Sequence, residues 1–284
     1  MTTLTPPPVI PAAPPQPAGP PTGPRDSSRA VALVATILGG ALVIGTIIGA
    51  VMGVIRLASV HTGELTASAA GVASLDVDVS SVELDIVYDD VSDATLSVTG
   101  SGIDGWKLER TGDALSLRTD RGWWGFRGWF DLDSLDRATL TLPESLSGSG
   151  MDATLRLSAG SITTDGDFGA LGINLSAGSI TASGSANTLT VDASAGRVVL
   201  DVADVREAEL ELSAGSIEGS LTGTTPESVD IDVSAGSLSL RLPEGPYAVS
   251  QDVSAGTFTN DLRVDPSSEH EISVDLSAGS VRLR

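Results

Sequence analysis

Seven Ser-Ala-Gly units mark the second half of this 284-residue chain, beginning at Ser158, Ser176, Ser194, Ser213, Ser234, Ser254 and Ser277. A serine beside a small, flexible pair suits a nucleophile on a tight turn, an amide cradle for phosphate, or a corner in a scaffold. A nucleophile needs an activating base. The chain has two histidines, His61 and His270, and neither is spaced to serve seven equivalent serines. No G-x-S-x-G, H-E-x-x-H or Walker pattern occurs, so no motif joins an acid to a base or prepares a cofactor site. The chain is expected not to be an enzyme and to use no cofactor. A polysaccharide-active enzyme, with acidic and basic side chains on an outer groove, ranks third among the functions considered.

Two further sets of residues are candidates for binding. Two positions before each serine stand Arg156, Asn174, Asp192, Glu211, Asp232, Asp252 and Asp275. Its five carboxylates form either a solvated polar face or a ladder bridged by Ca²⁺, which takes six to eight oxygen ligands. The glycine-rich nonapeptide that holds Ca²⁺ in β-rolls is absent. The second set is RGWWGFRGWF at 121–130, where Trp123, Trp124, Phe126, Trp129 and Phe130 sit with Arg121 and Arg127 in an acidic surrounding. It reads as an aromatic plug over one end of the fold, as a lipid-headgroup contact, or as a site for a protein or sugar partner.

The elements that must carry these residues repeat. The Ser-Ala-Gly units are 18, 18, 19, 21, 20 and 23 residues apart, a period suited to the coils of a solenoid and about half that of a propeller blade. One and three positions before each serine the residues are aliphatic, as in Leu155 and Leu157, Leu210 and Leu212, or Val274 and Leu276; Gln251 is the exception. Such alternation puts both on one face of a strand. The next large apolar residue, Ile162, Ile180, Val198, Ile217, Leu238, Phe258 or Val281, lies five steps beyond the residue before the serine. Five is odd, so a straight strand would turn it to solvent. A bend at Ala-Gly restores it to the inside, which makes Gly160, Gly178, Gly196, Gly215, Gly236, Gly256 and Gly279 a column of structural corners. VDVSSVELDI at 77–86 is a degenerate copy of VDLSAGSVRL at 274–283, and LTLPES at 140–145 echoes LRLPEG at 240–245.

Three segments follow in chain order. Residues 1–29 hold ten of the fifteen prolines, with Pro8, Pro11, Pro14, Pro17 and Pro20 at every third place; this is a disordered tail, either a stiff tether or a ligand for a proline-binding groove. Residues 30–57 contain the uncharged run AVALVATILGGALVIGTIIGAVMGVI at 30–55, long enough for a transmembrane helix and too long for a cleavable signal. Arg25 and Arg29 before it and Arg56 after it favour a cytoplasmic N-terminus. Gly45, Gly49 and Gly53 share a helical face that would let two spans dimerise. Residues 58–70 read as a linker, 71–150 as irregular β coils carrying the tryptophan segment, and 151–284 as the regular repeat. There is no cysteine, and the net charge of −21 argues against nucleic acid as a partner.

The SAGS corners on alternating strands, behind a single span, resemble the bacterial putative-adhesin family of β-strand-repeat surface proteins, over residues 70–284. The resemblance implies a β-solenoid at the cell surface and supplies no catalytic residues. The sequence thus predicts an all-β chain: a single-pass bacterial membrane protein whose extracellular β-solenoid, with coils of about 18–23 residues, serves adhesion or envelope interaction. Its partners would be the membrane and an envelope, protein or carbohydrate ligand. The alternative is a regulatory or sensory component of an envelope-stress system.

Overall fold

The computed structural model describes residues 61–100, 103–119 and 136–284, with backbone alone for His61 and Thr62. The tail, the span with Gly45, Gly49 and Gly53, and the aromatic segment with Trp123, Trp124, Phe126, Arg127, Trp129 and Phe130 lie outside the described residues. The chain divides into two units, Met1–Ser59 and Val60–Arg284. Among the described residues no helix is long and apolar enough to cross a membrane.

Among the described residues the fold is all-β, with one helical turn at Glu144–Ser147. The first strands are β1 (His61–Ser68), β2 (Ser74–Val79), β3 (Val82–Asp89), β4 (Asp93–Gly100), β5 (Trp106–Thr111), β6 (Ala114–Thr119) and β7 (Asp136–Pro143). The repeat region gives β8 (Met151–Leu157), β9 (Gly160–Leu175), β10 (Ser179–Ala193), β11 (Arg197–Ala203), β12 (Glu207–Leu212), β13 (Ser216–Thr222), β14 (Ser228–Val233) and β15 (Ser237–Arg241). It ends with β16 (Pro246–Val253), β17 (Thr257–Asn260), β18 (Arg263–Val264), β19 (Glu271–Leu276) and β20 (Ser280–Leu283).

Each repeat places one stretch before its corner and one after it, and each stretch pairs with its counterpart in the neighbouring repeat. The stretches before the corner form the parallel ladder β6–β2–β8–β9–β10–β12–β14–β19–β16. Those after it form β7–β3–β9–β10–β11–β13–β15–β20–β17, also parallel. The long strands β9 and β10 contribute to both. Equivalent residues stay opposite one another, as in Leu175 against Ala193 and Ala193 against Leu212, because a one-residue slip would turn every aliphatic side chain outward.

Spatial order departs from chain order at the far end. β19 lies between β14 and β16, and β20 between β15 and β17. The corner at Ser277 therefore stacks on that at Ser234, and the corner at Ser254 is outermost. At the near end β1 and β4 continue the second ladder antiparallel, and β5 pairs antiparallel with β6. The segment read as a linker thus contributes a strand, whose Leu65 and Ala67 pack against the core.

Both aliphatic sets flanking the corners are internal. Leu157, Leu175, Ala193, Leu212, Val233 and Leu276 are buried, and so are Ile162, Ile180, Val198, Ile217, Leu238 and Val281. The odd residue is absorbed at the corner, where the seven glycines take φ between +101° and +135°. In the degenerate copy the left-handed conformation falls on Ser81 instead, at φ +58°. Thr164 is the one buried polar residue among those described, so the interior is a column of apolar, mostly aliphatic side chains. Hydrophobic burial at about 25 cal/mol per Å² drives its formation.

Candidate functional site: the outer faces and the outermost edge

The corner serines are all exposed. Their amides, rather than their hydroxyls, tie the repeats together: Ser176 N–H donates to Leu157 O at 2.9 Å, Ser194 to Leu175 O at 2.8 Å, and Ser277 to Val233 O at 2.9 Å. His270 is occupied elsewhere, its Nδ1 lying 2.7 Å from Pro226 O. A carbonyl only accepts, so Nδ1 carries the proton. The ring meets Tyr247 edge-on at 6.2 Å, and Tyr247 Oη donates to Pro243 O at 2.8 Å. Burial pushes the Tyr247 phenol up to about 12. Tyr88 is also pushed to about 12, chiefly by burial and further by Asp167 and Asp165. Tyr247 and His270 hold the loops around Pro226 and Pro243, while Tyr88 lies against β9 at Gly166.

Parallel register converts the sequence columns into surface columns. Asp192, Glu211, Asp232, Asp275 and Asp252 stand opposite one another in that order. Sequence reasoning missed the column two residues further back, where Glu209 and Asp230 are paired, and the next one, which holds Glu207 and Glu271. The same parity count, continued to four and six residues before the serine, finds both. From β10 to β16 none of these three columns contains a basic residue. At the near end of the face Asp76 accepts from Arg156 and from Arg118, the latter at 3.1 Å.

Carboxylates on successive parallel strands project side by side about 4.8 Å apart rather than converging. Among the described residues no group of three or more histidine, aspartate or glutamate side chains is placed to hold a metal ion. The face beyond the corner is different in kind. Its outward columns run Ser161, Ser179, Arg197, Ser216, Ser237, Ser280, Thr257 and Thr163, Thr181, Val199, Glu218, Ser239, Arg282, Thr259. One face is anionic and the other is mostly hydroxylated. A groove of about 400 Å³ runs beside the outermost layer, floored by Ser228, Asp230, Ser250 and Ser273 and walled by Val264 and Pro266.

The outermost layer breaks the interior pattern. Val253, at a position buried in every other repeat, is 36 % exposed, and Gln251 beside it is exposed. Phe258 is half-buried. Among the described residues β17 pairs with β20 alone, and β16 from Ala248 onward pairs with β19 alone.

No family model matches the chain, and no curated protein matches it. Among solved structures, a "putative adhesin" from Parabacteroides distasonis is 11% identical, with a TM-score of 0.41, covering 80% of this chain and 98% of its own. A "putative adhesin" from Bacteroides fragilis is 13% identical, with a TM-score of 0.37 and coverage of 79% and 97%. A "putative cell adhesion protein" from Clostridium sporogenes is 11% identical, with a TM-score of 0.35 and coverage of 79% and 99%.

Proposed function

We propose that the repeat region is a β-solenoid displayed on the bacterial cell surface as a non-enzymatic scaffold for adhesion or envelope contact. In this reading residues 30–57 anchor it and residues 1–29 remain cytoplasmic. The observation that carries the proposal is the pair of nine-strand parallel ladders, joined at a corner in each repeat, over an aliphatic interior. Such a frame holds two extended faces of fixed and different chemistry, which suits broad contact with a surface better than enclosure of a small substrate. The anionic face favours cationic or neutral partners and is repelled by anionic ones. The aromatic segment around Trp123, Trp124, Phe126, Arg127, Trp129 and Phe130 is the second contact, a hot-spot composition beside an acidic frame.

The test uses the full-length chain produced in a bacterial host. Protease added to intact cells should remove the repeat region, and cells bearing it should retain isolated envelope material that bare cells do not. Trp123→Ala combined with Trp124→Ala should weaken that retention several-fold without changing the amount displayed. Protection of the repeat region in intact cells would refute surface display. Equal retention by bare cells would refute the adhesive role.

A further inference from the structure

The two ends of the ladders are finished differently. At the near end the edge strand β5 carries Lys107, Glu109 and Arg110, charges of the kind that keep a free strand from pairing with another chain. The edge strand β1 is covered in part, with Ile103 packed where a side chain on Gly63 would lie. At the other end, from Ala248 to Asn260, the edge carries one charged side chain, Asp252, and has no lysine or proline. A chain of net charge −21 therefore presents a nearly uncharged strand pair where the backbone is unpaired. This edge lacks the usual protection against pairing.

In a parallel ladder alternate residues bond alternate neighbours. Thr257 N–H donates to Gly279 O and Asp261 N–H to Leu283 O, both at 2.9 Å. The intervening Phe258 and Asn260 turn their N–H and C=O groups to the open side. The segment between Thr119 and Asp136 is rooted at the opposite end, eight strand spacings or roughly 38 Å away. Its sixteen residues reach about 27 Å out and back, too short to cover this edge.

We propose that the edge strand β17 pairs with the same strand of a second copy of this chain. A two-fold axis perpendicular to the second ladder reverses strand direction, so the parallel edges meet antiparallel. Placed at Phe258, the axis makes a reciprocal pair in which each Phe258 N–H donates to the other's carbonyl. Thr257 then faces Thr259, and the two phenylalanine rings meet over the exposed ends of both interiors. The site is thus a like-with-like junction that carries the second ladder from one copy into the other.

The chain has no cysteine, so single cysteines report on contacts in the full-length protein. Thr257→Cys should be captured as a covalent dimer by a short bismaleimide, since diagonal partners lie about 7–8 Å apart. Thr181→Cys, on the same outer face in mid-ladder, should not. Adding Gln251→Lys, at an exposed position, should cut capture at least tenfold and leave the melting temperature unchanged. Capture at Thr257 no greater than at Thr181, or insensitive to Gln251→Lys, overturns the proposal. So does an edge cysteine that neither cross-links nor labels, which would place another part of this chain over the edge, or one captured by a different protein.

Discussion

Gly215→Ala separates conformational strain from close stacking, because three glycines differ in one respect at a time. Gly215 has φ +106°, and a Cβ there would lie 2.2 Å from Gly196 O. Gly112 has φ +67° with nothing within 4 Å, while Gly172 lacks a positive φ and has Thr154 Oγ1 at 3.7 Å. Alanine at 112 should cost only the left-handed penalty, about 1 kcal/mol. Alanine at 172 should stay within roughly 0.5 kcal/mol of the parent. At 215 the methyl must retreat by about 1 Å to reach an ordinary carbon–oxygen distance, which opens the spacing between two repeats. The bonds from Ser213 to Ala193 O, Ala214 to Ser194 O and Ser216 to Gly196 O, now 2.9, 3.0 and 2.9 Å, would stretch past useful length. At about 1 kcal/mol each, plus the backbone penalty, the loss is roughly 4 kcal/mol. Chemical denaturation followed by far-ultraviolet circular dichroism would measure it. A cost for Gly215→Ala within 0.5 kcal/mol of that for Gly112→Ala would refute the stacked column.

Alkaline titration offers a clean second test, since the chain has two tyrosines and no cysteine. Both phenols are raised from 10.0 to about 12, so their contribution is complete below pH 10 and lost as pH rises toward 12; for buried Tyr247 it is roughly 2–3 kcal/mol. Tyrosinate absorbance should appear together with unfolding, and a normal titration near pH 10 in the folded protein would contradict the burial. Val233→Ala should cost about 2 kcal/mol and Val253→Ala less than 1 kcal/mol, and equal melting shifts would deny that the Ser254 repeat is outermost. Asp275→Asn relieves repulsion from Asp232 and Asp252, each about 0.9 kcal/mol at most in water. It should raise the melting temperature at low salt and have little effect at 1 M salt; salt-independent stabilisation would discount the column.

The local register was legible because burial on one face imposes parity. Counting from each serine locates the inward residues, the bend between them and the carboxylate column of Asp192, Glu211, Asp232, Asp275 and Asp252. Spatial order was less legible, since a parallel ladder accepts any repeat of the same register beside any other. One residue did carry the information. Gln251 is polar at an inward position, which only a layer open on one side tolerates without a buried partner, and it belongs to the outermost repeat. The strand β1 was read as linker because HTGELTAS alternates weakly, its apolar members being small apart from Leu65. The antiparallel additions near the first ladder rungs follow from pairings between β1, β4 and β7 that no repeat spacing announces.

The inserted position of β19 and β20 also bears on how the protein is made. A ribosome delivers β16 and β17 before the layer on which they rest. Until Glu271–Leu283 emerges, β14 and β15 have no neighbour on that side and the outermost layer has no seat. Arg284 closes the arrangement, donating to Leu240 O at 3.0 Å and accepting from Leu242 N–H at 2.9 Å. Assembly in chain order therefore stops two layers short, and both must settle together as Glu271–Leu283 slides between earlier strands. A stop codon before residue 271 would remove β19 and β20 from the sequence and two layers from the folded protein.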